Sequence, residues 1–152
     1  PKRDWSSDVC SSDLELDPHQ WMSYFVMGQA YTQLGRYDEA LTAFRKAEEI
    51  LGPNPSPPLA EEIRVLALSG HREEAQKAFD RLRALAPAQQ VSKYVLAVAL
   101  IGLGRKDEAF VFLNKAFDER AFPLGFLKVE PELDPLRSDP RFASLLEKLK
   151  LN

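Results

Sequence analysis

The chain has a single cysteine, Cys10, and only two histidines, His19 and His71. One cysteine forms no internal disulfide and no thiolate metal cage. The histidines lie far apart, each beside an expected helix start, where a surface or capping role is the ordinary one. No apolar run approaches the roughly 20 residues of a membrane span, and the first residues do not read as a secretory signal. There is also no long block of one charge sign. A net charge of -3 argues against nucleic acid or an anionic membrane surface as the main partner, since both call for a concentrated basic face. Gly102-Leu103-Gly104 contains a G-x-G core, but it ends a helical pattern instead of following a strand, which speaks against a dinucleotide loop. H-E-x-x-H, G-x-S-x-G and Walker patterns are missing. No catalytic residues, metal ligands or cofactor are therefore expected, the compartment stays open, and direct insertion into a membrane is not expected. Glu61-Glu62 and Glu73-Glu74 are paired carboxylates. Sequence neighbours on a helix point to different sides, so both pairs are expected on solvated faces.

What is there is an internal repeat. Gly35, Gly70 and Gly104 are spaced by 35 and 34 residues, as are Ala40, Ala75 and Ala109, and then Phe44, Phe79 and Leu113. Each unit reads as two helices around a tight turn. Tyr24, Met27, Gly28, Tyr31 and Leu34 fall at helical 3-and-4 spacing. Gly35 follows, where a left-handed residue ends a helix well. A second helix starts near Tyr37 with Asp38 and Glu39 in its first turn, which complements the helix dipole. It carries Ala40, Leu41, Phe44 and Ala47 on one face and stops at Gly52-Pro53-Asn54-Pro55. Gly28 with Ala40, and Ala97 with Ala109, are expected to let paired helices approach closely. Tyr24, Phe44, Phe79 and Leu113 are expected to fill the space between successive pairs. A single pair cannot bury its apolar face, so neighbours must stack.

These residues resemble the tetratricopeptide repeat family, whose pattern is W-x2-L-G-x2-Y, then A-x3-F, then a closing proline. It stands here as Tyr24-x2-Met27-Gly28-x2-Tyr31 and Ala40-x3-Phe44, with Pro53 one residue late. The second unit departs most. Leu59, Ile63 and Leu66 replace the usual residues, and a short first helix is expected behind Ser56-Pro57-Pro58. It recovers with Ala75-x3-Phe79 and Pro87. The third shows Leu96-Ala97-x2-Leu100 and Ala109-x3-Leu113. The resemblance implies an all-α fold: a right-handed α-solenoid of about three helix pairs (19–52, 56–87 and 88–121, within 15–122) plus a C-terminal capping segment, 123–152.

The two ends depart from the repeat. Residues 4–14 resemble a translated sequencing adapter, so residues 1–14 are expected to be a non-native tail. Leu14-Glu15-Leu16-Asp17-Pro18 is similar to the close of a preceding repeat, which implies a C-terminal piece of a longer protein. Trp21, Tyr24 and Met27 would then form an apolar end suited to self-association. At the other end, Phe122 to Leu127 could give a short helix. Asp134-Pro135 and Asp139-Pro140 each offer an N-cap followed by a proline at the first helical position. The last helix shows Phe142, Leu145, Leu146 and Leu149 on one stripe. The string Leu133 to Phe142 resembles the end of bacterial signalling proteins with C-terminal repeat arrays.

In this family the first helix of each pair lines a concave groove. Position by position that implies Phe25, Gln29 and Gln33 from the first unit, Ala60, Arg64 and Leu68 from the second, and Tyr94, Val98 and Ile101 from the third. Such a surface suits a protein or peptide partner with apolar anchors. The lysine and asparagine set that clamps a chaperone's C-terminal carboxylate is missing, and only Arg64 is an anion contact. The resemblance thus implies a non-enzymatic interaction scaffold. The alternative is the regulatory or sensory tail of a signalling enzyme or a winged-helix transcription regulator.

Overall fold

The computed structural model describes residues 19–89, 91–119 and 128–150. Six α-helices come first: α1 Gln20–Gln33, α2 Tyr37–Leu51, α3 Ser56–Leu68, α4 Arg72–Gln89, α5 Lys93–Gly102 and α6 Lys106–Asp118. A 3-10 helix, Pro131–Leu136, and α7, Pro140–Lys148, complete the described chain. No strand occurs among the described residues. The protein is an all-α helical solenoid in which α1 packs on α2, α2 on α3, α3 on both α4 and α5, and α5 on α6.

The repeat is visible in backbone chemistry. Gly35, Gly70 and Gly104 have φ of 72°, 88° and 75°, a region that costs a Cβ-bearing residue. Each closes the same motif. The amide after the glycine reaches back to a carbonyl five residues earlier: Arg36 to Tyr31 at 2.9 Å, His71 to Leu66 at 2.8 Å, Arg105 to Leu100 at 2.9 Å. The glycine amides donate to Thr32, Ala67 and Ile101. This satisfies carbonyls that a helix end leaves orphaned and turns the chain back in a few residues.

The large repeat residues do fill the interior. Phe44, Phe79 and Leu113 are buried, as are Ala40, Ala75 and Ala109. Tyr24 is only half-buried and lines a cavity at the first end of the stack. The close approach at Gly28 also differs from expectation. Its limit is the Phe44 ring and not Ala40, since a Cβ on Gly28 would fall 2.6 Å from that ring.

Several boundaries move. The prolines of the second unit lie inside α3, which starts at Ser56, and at 13 residues α3 is longer than α5, at 10. The first turn of a helix has no intrahelical partner for its N–H groups, so proline forfeits nothing there. α4 runs through Pro87 to Gln89, so the missing donor affects only its last turn. Asp139 caps α7 as expected, its side chain accepting from the Arg141 amide at 2.9 Å. Asp134-Pro135 starts no helix and lies within the 3-10 turn. That turn puts residues three apart on one side, and Leu133 and Leu136 are both fully buried. The expected helix at Phe122 to Leu127 and the tail at 1–14 lie outside the described residues.

Candidate functional site

α1, α3 and α5 together frame one concave cavity of about 460 Å³. From α1 come Trp21, Phe25 and Gln29, spaced by four and therefore on one face. Trp21 and Phe25 meet edge to face at 5.9 Å, and Phe25 meets Phe44 the same way at 5.8 Å. From α3 come Pro57, Ala60 and Glu61, and from α5 Tyr94, Val95 and Val98. Trp21 was expected at the apolar end. Its i,i+4 spacing to Phe25 places it in the groove instead.

The family-implied groove residues separate into two sets. Phe25, Gln29, Ala60, Tyr94 and Val98 line the cavity. Gln33 is exposed, and Leu68 is 53% exposed, beyond its rim. Ile101 is buried in the core. Arg64 is held by Glu61, Nη1 donating to Oε2 at 2.9 Å. Its backbone is also pinned, because a Cβ on Gly102 would fall 2.7 Å from the Arg64 Cα. That contact lets α3 and α5 approach closely.

The chain's own C-terminal segment contributes to the cavity lining. Glu130 and Glu132 line it, and the 3-10 helix rests on α5. Gln29 Nε2 donates to Glu132 Oε1 at 2.8 Å, joining α1 to this segment. Glu132 is 5% exposed.

Glu61 and Glu62 correct the expectation of a solvated face. They are 2% and 4% exposed. They do point to different sides, but α3 is the central helix and both sides are covered. Glu62 accepts from Arg45 of α2 at 2.8 Å, while Glu61 faces the groove. Glu73 and Glu74 are exposed as expected.

Electrostatically the groove end is an acidic cluster. Glu61 is pushed up to about 8, first by burial and then by Glu132; the guanidinium of Arg64 opposes this and loses. Burial and Glu132 lift Glu130 to about 7. Glu132 itself is buried, yet hydrogen bonds from its neighbours hold it below the ordinary range, so it carries the charge of the cluster. Burial and these three carboxyls push the Tyr94 hydroxyl well up. Among the described residues no group of His, Cys, Asp or Glu is arranged to hold a metal ion, and no helix is long and apolar enough to cross a membrane.

The sequence offered one missed signal for Glu61. Leu59, Ala60, Ile63, Val65 and Leu66 leave α3 apolar all round, which marks a helix buried on every side. Nothing local marks Glu130 or Glu132, because only folding brings them to Glu61.

The tetratricopeptide repeat family matches residues 21–51 and 61–123. Two relatives are named "Cytochrome c-type biogenesis protein CycH". The one from Rhizobium meliloti is 30% identical over 104 residues, which is 67% of this chain and 27% of that protein. The one from Bradyrhizobium diazoefficiens is 32% identical over 98 residues, 63% of this chain and 27% of that protein. The chain thus spans about a quarter of the length of the curated relatives it matches.

Proposed function

The chain belongs to the tetratricopeptide repeat family, and from that premise we propose that its concave groove binds an extended or helical segment of a partner protein, without catalysis. Chains of this family serve as protein interaction scaffolds. The observation that carries the finer reading is the single cavity lined by the first helices of all three units, with an aromatic wall of Trp21, Phe25 and Tyr94. Aromatic side chains in a desolvated pocket are the residues that most often dominate a binding energy. Its volume, about 460 Å³, lies in the range of specific sites and has room for a few anchoring side chains. The names of the relatives make cytochrome c-type biogenesis the setting in which to look for the partner first.

The test is a pull-down comparing the wild type with Phe25→Ala plus Tyr94→Ala, both checked for helicity by circular dichroism. A partner captured by the wild type and lost by the folded double variant supports the groove. Equal capture by both removes it.

The seat of Glu132 at the groove end favours a second reading, in which the groove serves segments of its own protein, as in a regulatory or sensory tail of a signalling enzyme or transcription regulator. Under that reading, neither the wild type nor a variant that opens the groove captures a foreign partner. A separate surface, the first end of the stack, is proposed for self-association. Met22, Val26 and Met27 are 50%, 58% and 43% exposed there, and Tyr24, Met27 and Tyr31 line a second cavity of about 640 Å³.

A further inference from the structure

We propose that Glu48 of α2 and Glu62 of α3 share one proton across the junction of the first two helix pairs, and that its loss frees the first pair from the second. The proposal concerns this junction and does not depend on what the groove binds.

Four side chains from three helices meet there. Glu62 Oε1 accepts from Arg45 of α2 at 2.8 Å. Glu48 Oε2 accepts from Arg81 of α4 at 3.3 Å. α2 is thus tied to both helices of the second pair, and each guanidinium takes one oxygen of its carboxyl. The other two oxygens, Glu48 Oε1 and Glu62 Oε2, are buried, and no N–H or hydroxyl among the described residues donates to either. The two carboxyls are left to satisfy one another, and Glu62 stands within hydrogen-bonding reach of Glu48. Two carboxylates cannot make that bond, since each only accepts. They would also repel where little water screens them. One proton turns the repulsion into a charge-assisted O–H···O hydrogen bond. The distances say which carboxyl carries it. Arg45 holds Glu62 more closely than Arg81 holds Glu48, so Glu48 is the donor and Glu62 the acceptor.

Burial, and then Glu62, push the Glu48 carboxyl up to about 8, with Arg81 opposing. The charged groups facing the pair are Arg45 from α2 and Arg81 from α4. On the other side of α3, Glu61 and Arg64 pair with each other. α1, also packed on α2, has only Tyr24 and Tyr31 to titrate, and both line the first-end cavity. When the junction opens, Glu48 returns to its ordinary 4.5 and gives its proton to water. Opening therefore becomes easier as pH rises from about 4.5 to about 8. The stabilisation is complete below that window and gone above it. Because α1 rides on α2, the same proton sets how firmly Trp21 and Phe25 are held beside α3.

The experiment follows the 13C signal of the Glu48 side-chain carboxyl by NMR in the full chain, together with hydrogen-exchange protection of the Phe44 and Leu113 amides. These two residues hold the same repeat position in α2 and α6. A Glu48 midpoint near 8 is expected, against an ordinary 4.5. Between pH 5 and pH 8, protection at Phe44 should fall about 10-fold per pH unit, the value for one proton released on opening, and should fall less at Leu113. Glu48→Gln keeps a donor for Glu62 and an acceptor for Arg81 but has no proton to lose. In that variant Phe44 should show the slope of Leu113. A Glu48 midpoint near 4.5 overturns the shared proton. A midpoint near 8 with equal slopes at Phe44 and Leu113 in the wild type overturns the release of the first pair. Both of these readings come from the wild type, so they decide the matter even where Glu48→Gln folds poorly.

Discussion

Gln29 and Glu132 lie 103 residues apart in sequence, and the Gln29 amide donates to the Glu132 carboxylate at 2.8 Å. Through this bond the first helix of the stack holds the segment that follows its last pair. Gln29→Ala removes an amide donor from a buried carboxylate, which costs about 1–3 kcal/mol when a charged group is left short of partners. The loss should be local. Hydrogen exchange at the Leu133 amide, which bonds Glu130 at 3.2 Å, should quicken more than exchange at the Leu66 amide in α3. Equal changes at both would mean that the bond does not latch the segment.

Gly102 is required by a neighbour, Gly104 by its own backbone. A Cβ at Gly102 meets the Arg64 Cα at 2.7 Å, while one at Gly104 meets open space but sits at φ +75°. Gly102→Ala should cost about 1–3 kcal/mol through overpacking, and Gly104→Ala about 1–2 kcal/mol through left-handed strain. Urea midpoints give both numbers. Gly102→Ala alone should also weaken peptide capture, because it pushes Arg64, which bonds Glu61 in the groove lining. A Gly102→Ala protein with wild-type capture would show that α3 yields without disturbing the site.

Stability should fall as pH rises from about 4.5 to about 8. The folded chain keeps the Glu61 proton up to about 8, against an ordinary 4.5, so over that window it binds more protons than the unfolded chain. Stability then declines with pH by linkage. The contribution is fully present below the unfolded value and is lost as the pH passes the folded one. Thermal melts at pH 5, 6.5 and 8 should show a falling midpoint, and Glu61→Gln, which cannot ionise, should flatten the slope. An unchanged slope in that variant would assign the effect elsewhere, with Glu48, also raised to about 8 by burial and by Glu62, the next group to test.

The exposed methionines of α1 should drive weak self-association. Size-exclusion chromatography with light scattering is expected to show dimer growing with concentration, and Met27→Glu should restore the monomer by placing a charge on the contact. A clean wild-type monomer at the highest attainable concentration would remove this surface from consideration.

The sequence by itself determined the repeat, and with it the fold. Glycines 34 and 35 residues apart specify the same left-handed turn three times, and the alanines and large apolar residues in register specify what each pair buries. Such information is local: one backbone region, one helical face and one neighbour suffice. The groove face was legible only in part, since Phe25, Gln29, Ala60, Tyr94 and Val98 share the cavity while Arg64 serves Glu61. Trp21 could have been placed by its spacing to Phe25, and the burial of Glu61 and Glu62 by the apolar residues surrounding them on α3. The acidic end could not. Glu61 and Glu132 are brought together only when the 3-10 turn buries Leu133 and Leu136 against the stack. Tertiary packing decided that pairing, because it is the burial of two leucines from a distant segment that carries the carboxyls along, and no local pattern records where such a segment will come to rest.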